Sequence, residues 1–248
     1  MSTTLRQRIA ARRRIYLLRH GEVNYFDLHG KPFPHYAVGL SSRGIEQARA
    51  AARALREAPI DLVIHTGLPR TQATAEITIG GRPVPVEISE ALREVNPGPF
   101  ELSPQGSRLE TYFTSAFKEA LTRETRFLGG EAYGEFEDRV LPAFRRIVER
   151  VSWKHLLIVA HGGTNRVILR HALHAGMESM GRIEQEAGCI NIIDLHENDQ
   201  LLVRQMNFTP YSPLKTNIWA TTMEQIYLDY FDGSPRTVLT EDPHGAGK

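Results

Sequence analysis

Two strand-like apolar runs, each ending in His-Gly, constrain the fold of this chain more than any other feature of its sequence. Residues 15–18 are followed by Arg19 and His20, and residues 156–160 are followed by His161. In open α/β sheets, ligands bind at the carboxyl ends of the strands. Because parallel strands end at the same edge of a sheet, the repeat predicts an α/β fold that brings both imidazoles to one site.

The surrounding sequence alternates between helical and strand-like patterns. Ser41 and Ser42 are good helix caps, residues 61–65 are typical of a strand, and Pro69 is typical of a helix start. Two later strand-like runs flank residues 196–200 and indicate an antiparallel hairpin. Together these patterns predict a three-layer αβα sandwich whose sheet is mostly parallel, with the hairpin at its edge.

Three segments depart from this alternation. Residues 1–14 contain five arginines and no aromatic residue, which predicts a solvated basic arm. Residues 101–130 carry an amphipathic helical stripe from position 109 to position 121, so we expect an insert that contains a helix. Residues 233–248 contain glycine and proline and predict a flexible tail, which leaves residues 15–232 as one domain.

The composition is that of an ordinary globular protein, since 41% of the 248 residues are hydrophobic and 24% are charged. A net charge of +1 gives no general attraction to nucleic acid or membranes, and no apolar run approaches the roughly 20 residues of a membrane span. The single cysteine, Cys189, excludes an internal disulfide and, with no signal peptide visible, indicates a cytoplasmic protein. We expect neither a nucleic-acid nor a membrane partner. The aromatic residues at 207–231 leave both internal packing and a homodimer contact open.

Six short motifs occur in an order that resembles the histidine phosphatase superfamily, in its phosphoglycerate mutase-like branch. They lie at residues 19–22, 40–48, 66–75, 92–94, 129–131 and 160–163. The resemblance implies the fold described above, with the insert at residues 101–130 as a lid over the site. The chain departs from the family at Phe26, where an asparagine is usual. Residues 95–100 depart from it too, and they do not match the mutase pattern.

The resemblance also implies a role for each site residue. The expected catalytic residues are His20, the nucleophile that forms a phosphohistidine, Glu94, the general acid, and His161, which donates to the developing charge. The predicted phosphate ligands are Arg19, Arg70, His161, the Gly162 amide, and Asn24 in place of the usual asparagine. Arginines beside His20 disfavour its imidazolium and keep the ring neutral near pH 7. Since no acidic cluster suited to Mg²⁺ accompanies the His-Gly motifs, we expect no metal, and we expect no cofactor.

These assignments predict a metal-independent phosphatase, a phosphoric monoester hydrolase that acts on the phosphomonoester of a small metabolite. Two alternatives stay open. A cofactor-dependent phosphoglycerate mutase is disfavoured by the residues that follow Glu94. A catalytically inactive scaffold of the same fold is disfavoured by the intact motif residues. The sequence does not specify which phosphorylated substrate is used.

Overall fold

The computed structural model describes residues 4–27, 29–106, 108–117, 121–196 and 200–232. Its strands are β1 (Arg13–Arg19), β2 (Leu62–His65), β3 (Val86–Ile88), β4 (His155–Ala160), β5 (Ile190–Leu195) and β6 (Leu201–Phe208). Its helices are α1 (Leu5–Ala11), α2 (Ser42–Ala54), α3 (Pro69–Ile79), α4 (Arg108–Thr114), α5 (Tyr133–Glu149), α6 (Gly162–Ala172) and α7 (Thr222–Tyr230). Short 3-10 turns lie at Glu90–Leu92, Phe100–Leu102, Phe127–Gly129 and Met177–Arg182.

A six-stranded mixed sheet in the order β3-β2-β4-β1-β5-β6 organises the fold. The first four strands of the chain are parallel, and Ile158 of β4 lies between Leu17 of β1 and Ile64 of β2. The β5–β6 hairpin is antiparallel and joins the sheet through β5, which pairs with β1. The predicted mostly parallel sheet with an antiparallel edge hairpin is therefore confirmed. Pairing of β1 with β4 brings the two His-Gly sequences to one edge.

Helices cover both faces of the sheet, because the central strands are apolar on both sides. Alternate residues of β1 show this arrangement. Leu17 joins a cluster that includes Phe136 and Phe144 of α5, whereas Leu18 joins a second cluster that includes Ala51 of α2 and Ala75 of α3. Helices α5 and α6 thus cover one face, and α2 and α3 cover the other, which gives the predicted three layers.

The helices that lead into the site begin where the sequence predicts. The Ser41 hydroxyl accepts the Gly44 amide at 3.0 Å at the start of α2, and Pro69 is the first residue of α3. Proline at this position costs no intrahelical hydrogen bond and has the required backbone angle. As a result, Arg70 lies in the first turn of α3, just beyond the carboxyl end of β2.

The N-terminal segment differs from the basic arm predicted for residues 1–14. Residues 5–11 form α1, and Arg13 and Arg14 are the first residues of β1. Both arginines have partners, since Arg13 Nη2 donates to the Val148 carbonyl and Arg14 pairs with Asp194 at 2.6 Å. These partners are distant in the sequence, so the arginines belong to the sheet and its flanks rather than to a separate arm.

The insert holds a shorter helix than its amphipathic stripe predicts. Helix α4 ends at Thr114, the Ala116 amide then bonds to the Phe113 carbonyl, and the Ala116 carbonyl accepts the Tyr133 hydroxyl. The chain leaves the helical path where Tyr133 takes that carbonyl. The predicted tail at residues 233–248, and residues 107 and 118–120 of the insert, lie outside the described residues. In the described part of the chain, no helix has both the length and the apolar character needed to cross a bilayer.

Candidate active site

The two His-Gly sequences meet at the carboxyl edge of the parallel strands. His20 follows β1 and His161 follows β4, and their ring centroids lie 5.1 Å apart with the planes at 67°. Glycine is needed at position 21, because a β-carbon there would lie 2.3 Å from the Gly44 carbonyl oxygen. Both imidazoles are buried. The prediction that the fold brings the two histidines together is confirmed.

The backbone fixes which nitrogen of His20 carries the hydrogen. Nδ1 lies 2.7 Å from the carbonyl oxygen of Gly21. A carbonyl oxygen can only accept, so Nδ1 donates, and in the neutral ring Nε2 keeps its lone pair. Nε2 is therefore the atom of His20 that is able to attack phosphorus.

A chain of hydroxyl groups fixes the opposite tautomer for His161. Thr71 Oγ1 donates to the Leu68 carbonyl at 2.9 Å, which uses its only hydrogen. Thr66 Oγ1, 3.0 Å from Thr71 Oγ1, must then be the donor in that pair. His161 Nε2, 2.9 Å from Thr66 Oγ1, must in turn donate to Thr66. The neutral ring keeps its lone pair on Nδ1, which is buried and has no partner among the described residues.

Both imidazoles are held in the neutral form. Burial is the largest cause that lowers the pKa of His20 well below its ordinary value, and the charges of Arg70 and Arg19 lower it further. Burial likewise lowers the pKa of His161 well below its ordinary value, with Arg70 as the next cause. The predicted neutral state of His20 near pH 7 follows from this environment.

Two buried arginines, Arg19 and Arg70, supply positive charge beside the histidine pair. Each is anchored at one nitrogen, since Arg19 Nη1 donates to the Thr222 hydroxyl at 2.8 Å and Arg70 Nη1 donates to the His35 carbonyl at 2.6 Å. The Nε of each has no hydrogen-bond partner in the described chain. Because an unpaired buried N–H is costly, these donors are suited to an anion that binds between them.

Arg166 is a third buried arginine of the site, and the sequence analysis did not identify it. It lines the same cavity as Arg19 and Arg70, and its guanidinium lies 4.3 Å over the ring of Phe117. Its Nη2 pairs with Glu184 at 2.9 Å, while its Nε lacks a partner within the described ranges. Burial acts to raise the pKa of Glu184, but the charge of Arg166 is part of what holds that pKa below its ordinary value.

The side chain of Glu94, the predicted acid, contacts the first turn of α6. Its Oε2 accepts the Gly163 amide at 3.0 Å, and its Oε1 accepts the Val95 amide at 3.0 Å. A β-carbon at position 163 would lie 2.4 Å from Glu94 Oε1, so a side chain there would displace the carboxyl group. Glu94 lines the cavity of the arginines, and its two oxygens each accept one backbone amide.

Arg139 on α5 holds the segment that carries Glu94. Its guanidinium donates to the carbonyls of Arg93 and Glu94, each at 2.7 Å, and pairs with Glu131 at 2.7 Å. Glu131 also accepts the Asn96 amide at 2.9 Å. The motif at residues 129–131 therefore positions the loop of the acid. Arg139 itself was missed, because its sequence neighbourhood shows only an ordinary amphipathic helix.

The two remaining predicted phosphate ligands lie in different surroundings. Gly162 is the first residue of α6 and faces the arginines, since a β-carbon there would lie 3.5 Å from Arg19 Nε. Asn24 is exposed, accepts the Tyr230 hydroxyl at 3.2 Å, and lines a smaller cavity together with Phe33. No described contact joins Asn24 to the histidines or to the arginines, so its role as a phosphate ligand stays a prediction.

A cavity of about 510 Å³ opens from the arginines, and two distant segments enclose it. The insert contributes Phe113 and Phe127, and α7 contributes Met223 and Ile226. Thr222 of α7 also accepts the hydrogen bond from Arg19. The sequence analysis had no functional account of residues 207–231, and nothing in their local pattern indicates that part of this segment completes the site.

The described residues also show what the site does not contain. Within them, no group of three or more His, Cys, Asp or Glu side chains is arranged to hold a metal ion. The single cysteine, Cys189, is buried, and burial raises the pKa of its thiol to about 12. A thiol in this state is a core group rather than a nucleophile.

Fold and site together define a phosphoryl-transfer enzyme of one class. The chain belongs to the histidine phosphatase superfamily (branch 1), whose model matches residues 15–208. With the two histidines, the arginines and the acid of the motif set all present, it is a phosphoric monoester hydrolase.

Particular relatives refine this comparison. The adenosylcobalamin/alpha-ribazole phosphatase of Escherichia coli strain K12 is 27% identical over 190 residues, which are 74% of this chain and 91% of the relative. The crystal structure of the alpha-ribazole phosphatase from Shigella flexneri aligns with a TM-score of 0.64 and 26% identity, over 78% of this chain and 96% of that one. A mycobacterial glucosyl-3-phosphoglycerate phosphatase has a TM-score of 0.62 at 20% identity, over 79% of this chain and 99% of that one, and shows the shared fold alone.

Proposed function

We propose that this chain hydrolyses the phosphomonoester of a small metabolite, without a metal, through a phosphohistidine on His20. The observation that carries the proposal is the tautomer of His20. The Gly21 carbonyl holds the Nδ1 hydrogen, so Nε2 offers a lone pair beside Arg19 and Arg70. The alpha-ribazole phosphatases among its relatives support a small phosphorylated metabolite as the substrate class.

In the first step, His20 Nε2 attacks phosphorus and the bond from phosphorus to the alcohol oxygen breaks. The electron pair of that bond leaves with the alcohol oxygen, which takes a proton from Glu94. Arg19 and Arg70 bind the phosphoryl oxygens, because phosphoryl transfer depends mainly on position and on compensation of charge. The products of this step are the free alcohol and phosphohistidine.

In the second step, water attacks the phosphorus of the phosphohistidine. The Glu94 carboxylate accepts a proton from that water, and the bond from phosphorus to Nε2 breaks. Inorganic phosphate leaves, and both the neutral His20 and the protonated Glu94 are restored. Each residue thus returns to its starting state without a second substrate.

His161 acts on the phosphoryl group through Nδ1. Because its Nε2 hydrogen is already donated to Thr66, Nδ1 binds a phosphoryl oxygen only when a proton lies between the two atoms. A phosphate monoanion brings that proton, and the imidazolium that results donates to the charge that develops in the transition state. The role of His161 therefore depends on the hydroxyl of Thr66.

The proposed setting is the cytoplasm. Cys189, the single cysteine of the chain, is a buried free thiol in the structure. A chain without a disulfide is suited to a reducing compartment.

The proposal is tested by measuring phosphate release from sugar phosphates, phosphoglycerates, nucleotides and phosphoamino acids, with wild type and the His20→Ala variant in parallel. We expect release from at least one ester class with the wild type and none with the variant. Release that persists in a folded His20→Ala variant would contradict the mechanism. A mutase assay primed with bisphosphoglycerate tests the main alternative: isomerisation faster than phosphate release would identify a mutase.

A further inference from the structure

The cavity of the site extends far beyond the space that a phosphate needs. Its volume of about 510 Å³ is typical of a pocket that encloses most of a drug-sized ligand. Arg19 and Arg70 line the cavity beside His20, and Arg166 and Glu94 line it beside the start of α6; we call this part the phosphate end. The rest of the cavity must therefore bind the alcohol part of the substrate.

Aromatic rings from separate segments form another part of the cavity lining. Phe26, Phe100 and Phe113 line the cavity, and we call them the aromatic wall. All three rings pack against Phe231, with centroids 4.9 Å, 5.5 Å and 5.2 Å from it, respectively. Because the rings come from four separate segments and support each other, the wall is formed before a ligand binds, and the ligand need not order it.

Few polar groups lie away from the phosphate end. The polar side chains there are Glu101 and Tyr112, since Tyr25 and His35 lie beside Arg70. The Tyr112 hydroxyl is already donated to the Leu128 carbonyl at 2.6 Å, and Glu101 is exposed. An alcohol with several hydroxyl groups would lose its water contacts on entering this cavity and find few replacements, which is unfavourable.

We propose that the alcohol part of the substrate is a bulky apolar group that carries an aromatic ring, bound against the aromatic wall. The inference rests on the proposed phosphatase function and narrows its substrate class. Small polyhydroxylated esters, such as sugar phosphates and phosphoglycerates, are correspondingly poor substrates. The aromatic wall selects the alcohol, and the phosphate end binds the group that all phosphomonoesters share.

The test compares esters that differ in the alcohol but have the same kind of leaving group. Suitable probes are 2-(2-naphthyl)ethyl phosphate, ethyl phosphate and glycerol 1-phosphate, each the ester of a primary alcohol. We expect kcat/KM for the naphthyl ester to exceed that for ethyl phosphate by about 10- to 100-fold, the gain from removing one such ring system from water. The inhibition constants of 2-naphthylmethylphosphonate and methylphosphonate, which are not hydrolysed, should differ in the same direction.

Variants locate the effect in the aromatic wall. Phe100→Ala should lower the ratio of kcat/KM between the naphthyl ester and ethyl phosphate by about 2- to 10-fold, since it removes one ring contact. Phe113→Leu, which keeps an apolar side chain in the core, should lower the ratio in the same direction. Trp219→Ala is the matched control, because Trp219 is 90% exposed and does not line the cavity, and it should leave the ratio unchanged.

The outcomes separate the two proposals. If kcat/KM for glycerol 1-phosphate and for ethyl phosphate equals that for the naphthyl ester, the substrate inference is wrong and the phosphatase proposal stands. An unchanged ratio in both folded wall variants would also overturn the inference. If none of the esters is hydrolysed and the protein takes up no phosphate label, the phosphatase proposal itself fails.

Discussion

Replacing Thr66 with valine tests the hydroxyl chain that sets the tautomer of His161. The Thr66 hydroxyl accepts from His161 Nε2 at 2.9 Å and donates to Thr71 at 3.0 Å, and Thr66 is fully buried. Valine keeps nearly the same shape but neither accepts nor donates. In the variant without substrate, the hydrogen of the neutral His161 ring can move to Nδ1 and leave Nε2 without a hydrogen. The free enzyme is therefore destabilised only slightly.

The cost appears when the phosphoryl group binds and His161 becomes an imidazolium. Both ring nitrogens then carry hydrogens, and in the variant the Nε2 hydrogen of the imidazolium points into a buried site without an acceptor. A ring that stays neutral and donates from Nδ1 avoids this contact but brings no positive charge to the transition state. An unsatisfied buried donor costs about 1–3 kcal/mol. At about 1.4 kcal/mol for each factor of ten, we expect kcat/KM of Thr66→Val to fall by about 5- to 150-fold.

The assay is steady-state hydrolysis of one good ester substrate, with ¹⁵N NMR of the histidine rings as a direct measure of tautomer. Thr66→Ser keeps the hydroxyl and should retain most of the activity. Thr78→Val is the matched control, because Thr78 is a buried threonine of α3 whose hydroxyl donates to the Thr74 carbonyl. Loss of the Thr78 hydroxyl should lower the free energy of unfolding without changing kcat/KM. Wild-type kcat/KM in Thr66→Val, or an Nδ1–H tautomer of His161 in the free wild type, would refute the reasoning.

Three further predictions follow from the site. Burial, Arg70 and Arg19 hold the pKa of His20 well below 6.5, and attack needs the neutral ring. We therefore expect kcat/KM, corrected for ionisation of the substrate phosphate, to stay constant as the pH falls through 6.5. A half-maximal kcat/KM near pH 6.5 would contradict this expectation. Glu94→Gln should slow alkyl phosphates by roughly 10²–10⁴-fold and p-nitrophenyl phosphate far less, because only a basic alkoxide needs a proton; equal losses would assign Glu94 to binding. Because arginine and histidine supply the positive charge, turnover should persist in excess chelator, and restoration of a chelated, inactive enzyme by Mg²⁺ or Zn²⁺ would count against a metal-free site.

The parts of the site that the sequence predicts are those set by local rules. An apolar run that ends in His-Gly places His20 and His161 at strand ends, whatever the rest of the chain does. Proline at the first position of α3 puts Arg70 in the first helical turn, and the Ser41 cap starts α2. Each of these features is decided within a few residues, so the pattern alone could predict it.

The residues that the sequence did not predict act through distant partners. Thr222 accepts from Arg19 across 203 positions of the chain, and Arg139 donates to Glu94 across 45. Arg166 pairs with Glu184 at a separation of 18 positions, between a helix and an irregular segment. Such pairs depend on how the elements pack, and no periodic pattern or capping residue in the sequence predicts that packing.

The insert is a case in which the local sequence pattern predicts more helix than the packed structure contains. Its apolar stripe from position 109 to 121 predicts one long helix, but α4 ends at Thr114. Two of the stripe's aromatic residues serve other contacts instead: Phe113 stacks on Phe231 at 5.2 Å, and Phe117 packs against Phe127 at 5.3 Å. Helical spacing of apolar residues therefore predicted the burial of Leu109, Phe113, Ala116 and Leu121, but not the length of the helix.

The central claim is that His20 carries the phosphoryl group, and rapid quench with a phosphate-labelled ester tests it most directly. We predict label on the protein as phosphohistidine, which is labile to acid and stable to base. The label should be absent from His20→Ala and reduced but present in His161→Ala, because the attacking nitrogen remains. Label that survives in His20→Ala and disappears in His161→Ala would reverse the two roles. If turning-over wild type gives neither label nor a pre-steady-state burst of the alcohol, the phosphohistidine intermediate is contradicted.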